Sequence, residues 1–275
     1  MKGLYLSIAS TFLVCTKVSG VPKSANLADD AGFSGLQLLP IRGVEFPENI
    51  VPTECVCSYE NDSWHSNPER YGWGSWKRVF GLASDYYPLP WDHWLFEAAH
   101  HTLRRRQFFY ETYPDALEVT HDAMSAVQAE NCGLNRAWEI HPDKSGRLEA
   151  FLEGGWGLVL DTYHIQGVSV AEDLKGENIA PPDIPMTLVN RLMESCPDRV
   201  KLVHVHPGFW DVFSLFTRGT WSLTPMLELL KPLDVPFVLE VIPLLPVTIL
   251  ASWGVREPFV RVLTKIHLKI KKDLT

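Results

Sequence analysis

The sequence predicts one α/β domain spanning 1–275, a (β/α)₈ TIM barrel with an aromatic-rich insertion at 61–100 after strand 3. Three observations carry that reading. Strand-like apolar runs alternate with helix-like segments along the chain, the pattern of βαβ units on a parallel sheet. The length of 275 residues suits a single barrel, which commonly takes about 250. No GxGxxG or GxxxxGK[ST] loop follows any strand, so an open nucleotide-binding sheet lacks its main signature.

The elements follow in order. Leu4–Ser10 reads as strand 1. Lys23–Gly32 reads as a helix ending on a glycine, a common C-terminal stop. Gly35–Leu39 is strand 2, closed by Pro40, and Glu54–Tyr59 is strand 3. Ala116–Thr120 is strand 4, followed by a helix from Ala123 that stops at Asn131-Cys-Gly133. Arg136–Ile140 is strand 5, with a short helix over Ser145–Glu153. Gly157–Asp161 is strand 6, and Met186–Ser195 an amphipathic helix. Val200–His206 is strand 7. Thr224–Leu230 is a helix with proline in its first turn, where the missing N–H costs nothing. Pro236–Val241 is strand 8, and the remainder is largely helical.

Two stretches depart from this regularity. The segment between strands 2 and 3 is short and proline-rich, so its helix is expected to be vestigial. The stretch from Asn61 to Trp94 carries Trp64, Trp73, Trp76, Trp91 and Trp94. Long loops after barrel strands lie on the catalytic face, so these aromatics are expected either to narrow the mouth as a lid or to form a satellite core anchoring the insertion.

Composition limits the function classes. Hydrophobic residues make up 46% and charged residues 21%, ordinary globular usage. The formal charge of −8 repels phosphate backbones, so nucleic acid is not an expected partner. The apolar run from Leu4 resembles a short secretory signal, but it contains Ser7, Ser10 and Thr11 and supplies strand 1. A cytoplasmic protein with no membrane partner is therefore expected. Five scattered cysteines (Cys15, Cys55, Cys57, Cys132 and Cys196) suit reduced thiols better than a disulfide framework. Cys55-Val-Cys57 has no second pair to complete a metal site.

Chemistry in a barrel of this kind sits at the C-terminal strand ends. Strand 5 ends in Glu139-Ile-His141, strand 6 in Asp161-Thr-Tyr-His164, strand 7 in His204-Val-His206, and strand 8 in Phe-Val-Leu-Glu240. Each charged residue follows an apolar run, where a carboxylate is costly to bury unless paired or metal-bound. Taken singly, a strand-end Glu is usually solvated and a lone His usually hydrogen-bonded in a core. Barrel closure makes four successive strands converge. Carboxylates with an imidazole suit a divalent metal ion: Mn²⁺, Mg²⁺ or Co²⁺, with Zn²⁺ open.

These strand ends resemble those of the xylose-isomerase-like barrel superfamily. That group includes sugar-phosphate isomerases and epimerases, ketose 3-epimerases, inosose dehydratases, hydroxypyruvate isomerases and endonuclease IV. Asp161-Thr-Tyr-His164 is the most specific part. Ala31-Gly-Phe33 leading to Gly35-Leu-Gln-Leu also resembles the family's passage from helix 1 to strand 2. The likeness is weakest over 41–115.

The resemblance implies a metal held by Glu139, Asp161, a strand 7 histidine and Glu240. His204 and His206 share a parity, so the ligand is open between them. It implies a small-molecule substrate, a hydroxy-carbonyl compound of sugar or polyol type, and proton transfer between Glu139 and Glu240 as paired acid/base groups. His164 would contact substrate or a second metal. His121, His141, Arg218 and Trp64 complete the candidate substrate-binding residues, although His121 and His141 also read as plain polar strand-end residues and Arg218 as a surface arginine. The basic run Lys265–Lys272 reads as a solvated helix face. A homo-oligomer is left open.

Three alternatives use the same parts. A dehydratase would differ in the fate of the proton. An endonuclease IV-like phosphodiesterase would need more histidines, and Ser58 and Tyr59 stand where strand 3 would carry one. A non-catalytic binding barrel would keep the site without turnover.

Overall fold

A computed structural model describes residues 1–11, 20–38, 51–60, 109–120, 135–139, 157–167, 184–241 and 255–275. The 61–100 insertion with Trp64, the helices expected from Ala123 and over Ser145–Glu153, and His121, His141, Cys15 and Cys132 lie outside those residues.

Eight parallel strands close into a barrel in chain order: β1 Leu4–Ser7, β2 Leu36–Leu38, β3 Val56–Glu60, β4 Leu117–Thr120, β5 Arg136–Glu139, β6 Gly157–Asp161, β7 Val200–Val205 and β8 Phe237–Leu239. β8 closes the ring on β1 through Leu4↔Phe237 and Leu6↔Leu239. The described helices are α1 Gly20–Asp30, α2 Thr162–Gly167, α3 Ile184–Ser195, α4 Phe209–Thr217, α5 Thr224–Leu230 and α6 Glu257–Leu274. No described helix is long and apolar enough to cross a membrane.

Period-two alternation sorts each strand into an inward and an outward face. Leu117, Val119, Ala137, Val159, Leu202 and Val238 form one buried cluster, with Tyr5 and Cys57 packed on it. This is the filled barrel interior. The outward residues, Trp138, Leu158, Leu160, Val203, Phe237 and Leu239, join the larger core shared with the helices. Moving two residues along from the interior cluster turns Tyr5, Ala137, Val159, Leu202 and Val238 into Ser7, Glu139, Asp161, His204 and Glu240. The polar site is therefore the next layer of the same interior, at the strands' C-terminal end.

Gly35 makes β2 possible. Its φ is +156°, and a Cβ there would stand 1.9 Å from the carbonyl oxygen of Cys55. A side chain would push the β2 and β3 entries apart. Beside this contact the β2–β3 register shifts, and Gln37 pairs with Ser58.

Several elements differ from the sequence reading. β1 ends at Ser7 and curls into a 3₁₀ turn, Ile8–Thr11. The Ser10 hydroxyl causes this stop: it donates to the Leu239 carbonyl (3.3 Å) and accepts from the Val241 N–H (2.9 Å), fastening the turn to the end of β8. α2 and α4 were not expected. α2 has six residues, too few to show a helical period, and α4 is mostly apolar, with Asp211, Ser214 and Thr217 as its polar residues. Phe209, Trp210 and Phe213 of α4 are exposed.

The Lys265–Lys272 run is solvated only in part: Lys271 and Lys272 are exposed, and Lys265 and Lys269 are half-buried. Lys269 is not solvated: its ammonium lies 2.5 Å from Asp273 Oδ1, and the two side chains are 15% and 5% exposed. Lys265 lies over the Phe216 ring, 4.3 Å from its centre. Lys269 is drawn inward because α6 packs on α5, which brings Thr224 and Trp221 against Asp273.

The described cysteines, Cys55, Cys57 and Cys196, are free thiols. Burial inside the barrel pushes the Cys57 thiol up to about 12, which keeps it protonated.

Candidate metal centre

Asp161 ends β6 and caps α2. Its Oδ1 accepts the backbone N–H groups of Tyr163 (2.6 Å) and His164 (2.8 Å). That is the N-cap role for which aspartate is well suited. The Asp161-Thr-Tyr-His164 block thus has a mechanical meaning. One carboxylate oxygen is spent on the helix start, which aims the other into the barrel mouth. Thr162 adds a tie to β7, its hydroxyl accepting the His206 N–H at 2.8 Å.

Asp161 Oδ2 has no hydrogen-bond partner among the described residues. Its carboxyl is completely buried, and desolvation raises its pKa above the aspartate norm. Glu139 adds to the rise, while His164, His206 and His204 oppose it. Removing such an ion from water costs several kcal/mol, on the order of the effective penalty per buried charge.

His204 sits at the focus. Its Nδ1 is 3.2 Å from Glu139 Oε2, 3.8 Å from Asp161 Oδ2 and 3.9 Å from Glu240 Oε2. Glu139 also meets His164, at 3.5 Å from Oε1 to Nε2. Glu240 is held from the other side of the ring, where Ser7 Oγ donates to its Oε1 at 3.0 Å. At 17% exposure Glu240 is the more open of the two glutamates, against 1% for Glu139.

Two overlapping groups have ligand-type atoms all within 4.8 Å of one another: Glu139, Asp161 and His204, and Asp161, His206 and Glu240. The sequence left His204 and His206 open, and the structure places one in each group. His204 is fully buried and faces three carboxylates, whereas His206 lies one pleat further out, half-buried, with its ring 4.9 Å from Tyr163. Neither group contains a cysteine. Arg218 is exposed at the C-terminal end of α4.

The donor set fits a divalent cation. Donors on one ion at about 2.0–2.3 Å stand no more than about 4–4.6 Å apart. The three separations from His204 Nδ1 fall inside that limit. Several carboxylate oxygens with one imidazole form a hard set. The unpartnered Asp161 oxygen, aimed at other acceptors, is what a cation would satisfy.

Sequence reasoning passed over three residues on the opposite wall. The Gln37 amide nitrogen lies 2.8 Å from His204 Nε2 and 3.0 Å from Ser58 Oγ, and Ser7 holds Glu240. Each is fully buried. The available signal was a polar residue inside a short apolar strand, as in Gly35-Leu-Gln-Leu.

The whole chain is similar to a solved D-psicose 3-epimerase with D-tagatose from Clostridium cellulolyticum H10. The match covers 98% of each chain at a TM-score of 0.50, with 11% identity. What the two share is the fold. No protein-family model and no curated protein matches the sequence.

Proposed function

We propose that this chain is a metal-dependent isomerase or epimerase of a sugar, polyol or related hydroxy-carbonyl compound. The observation that carries the proposal is one buried nitrogen, His204 Nδ1, within 3.9 Å of three carboxylates at the ends of β5, β6 and β8. In this reading Glu139, Asp161, His204 and Glu240 are the ligands. His206 is an outer neighbour.

A bound divalent ion would supply Lewis acidity, polarising substrate oxygens and acidifying the carbon beside the carbonyl. The chain's own groups do the rest. Glu240, the more open carboxylate, takes the carbon-bound proton on Oε1, which Ser7 orients, and leaves Oε2 to the ion. Glu139, on the other side of His204, gives a proton drawn from solvent to the opposite face, and Glu240 releases its own to solvent before the next turnover. His164, partly exposed beside Glu139, contacts a substrate hydroxyl. The buried carboxylates and the filled layer beneath them exclude water from below.

The test has two stages. Purified protein is analysed for Mn, Mg, Co and Zn, and about one equivalent of one of them is expected. Loaded protein is then incubated in D₂O with ketohexoses first, because the structural neighbour was solved with one, followed by inososes and keto-acids. Deuterium at the carbon beside the carbonyl supports the reading. Protein that takes up no divalent ion would move the weight to a non-catalytic binding barrel.

A further inference from the structure

We propose that Gln37 is a positioning residue that fixes the tautomer of His204 and thereby makes Nδ1 a metal-binding atom. This rests on the metal-centre reading above. His204 has two ring nitrogens with different surroundings. Nδ1 faces Glu139, Asp161 and Glu240, while Nε2 faces the terminal amide of Gln37 at 2.8 Å. A neutral imidazole carries one proton. If it sits on Nδ1, that nitrogen has no lone pair for an ion. If it sits on Nε2, the lone pair of Nδ1 points at the centre.

Gln37 decides between these states by which end of its amide it turns toward His204. With nitrogen there, Nε2 must accept and the proton is driven to Nδ1. In that orientation Gln37 Oε1 is buried with no hydrogen-bond partner among the described residues. A half-turn about the last side-chain torsion exchanges oxygen and nitrogen at almost constant shape and puts the amide nitrogen where Oε1 stood. The oxygen then accepts His204 Nε2–H and can also accept the Ser58 hydroxyl, which lies 3.0 Å from the same amide position. The lone pair of Nδ1 is released toward the carboxylates. Metal-bound histidines commonly donate their second N–H to an oxygen in this way, and losing that partner typically costs about 10–100-fold in metal affinity.

β2 is built to hold this amide. The approach at Gly35 and the register shift beside it set Gln37 opposite Ser58. Gln37 is fully buried at the floor of the site, behind the imidazole. It therefore acts through His204.

The experiment compares wild type, Gln37→Met and Gln37→Glu by chelator competition for Co²⁺ and Zn²⁺, with the Co²⁺ absorption spectrum as a measure of geometry. Methionine keeps the shape and removes the acceptor; its affinity is expected to fall about 10–100-fold. Glutamate can only accept, and it is expected to keep wild-type affinity or tighten it. Equal losses in both variants, or no loss in Gln37→Met, would overturn the proposal while leaving the metal centre standing. If wild type itself binds no ion, the metal-centre reading falls and this one with it. A readout that needs no Gln37 variant is the histidine ¹⁵N spectrum of Zn²⁺-loaded wild type, with His204 assigned by its loss in His204→Asn. A proton on Nε2 supports the proposal, and its absence there overturns it.

Discussion

Asp161 and Asp273 are both buried aspartates, and the chain treats them in opposite ways. Asp273, on α6, receives the Lys269 ammonium, the Trp221 indole N–H (2.8 Å) and the Thr224 hydroxyl (2.9 Å). Burial pushes its pKa up, but those donors outweigh burial and leave it below the aspartate norm. Asp161 receives two backbone N–H groups on one oxygen, and its other oxygen faces histidines and a second carboxylate. Its pKa moves up. In the seam between α5 and α6 the protein supplies the compensating cation itself. In the barrel mouth it gathers carboxylates and imidazoles, the set that the proposed metal ion would occupy. On the proposed function, the difference separates a group placed for stability from one placed for binding.

The sharpest way to break that comparison is to neutralise each aspartate in turn. Asp161→Asn keeps the helix cap, since asparagine caps as well as aspartate. It removes a buried anion from the ion's surroundings. Metal affinity is expected to fall on the order of a thousandfold, in line with the roughly 3–5 kcal/mol for stranding one member of a buried charge pair. Melting in excess chelator should be unchanged or raised, because the metal-free protein loses a buried like-charge conflict. A lower melting temperature in chelator would show that Asp161 is structural after all.

Glu240→Gln divides the site further. The amide cannot accept the substrate proton, so exchange with D₂O should fall about 10²–10⁴-fold, the usual share of a general base. Its oxygen still faces the centre, but one ligand anion is lost, so metal affinity should weaken, though less than in Asp161→Asn because Glu240 is the more exposed group; exchange is compared at saturating metal. Exchange at the wild-type rate would end the two-glutamate mechanism even with the metal in place.

The two walls of the barrel mouth differ in how plainly they showed in the sequence. β5 to β8 were legible because each breaks an apolar run with a charge: Trp138 then Glu139, Leu160 then Asp161, Leu239 then Glu240. Ionisable residues stand out against such runs for the same energetic reason that makes them functional. The opposite wall was not legible. Ser7 and Gln37 are neutral, and one serine or glutamine in a strand costs little once hydrogen-bonded, so nothing marks it. The choice between His204 and His206 could not be read either. They share a parity, and the structure gives each a place in a candidate ligand group, with His204 the more deeply buried. Lys269 was misread for a related reason: its partner Asp273 is visible four residues on, but the Trp221 and Thr224 that bury the pair come from another part of the chain.

On the structural side of the comparison, Asp273→Ala leaves Lys269 and the Trp221 indole without their acceptor. Hydrogen bonds to charged groups contribute roughly 1.5–3 kcal/mol. The melting temperature should therefore fall by several degrees in the presence and absence of metal alike. Metal affinity should not change, because Asp273 belongs to neither ligand group. A loss of metal binding in this variant would mean that seam and site are coupled, and the contrast drawn between them would fail.

The smallest expected effect concerns acid. The folded pKa of Asp273 lies below its unfolded value. The unfolded chain therefore binds this proton first as pH falls, and the unfolded state gains. The stabilisation from Asp273 is complete above the ordinary aspartate range and drains away as pH drops toward the depressed folded value. Asp273→Asn removes that proton uptake and should flatten the acid limb of stability, measured by urea unfolding at a series of pH values in chelator. Wild type and variant should differ most near neutral pH and converge in acid. The chelator matters, because a bound ion would add its own pH dependence through the site's ligands. Parallel curves across the acid range would show that Lys269, Trp221 and Thr224 hold Asp273 no more tightly folded than water does unfolded.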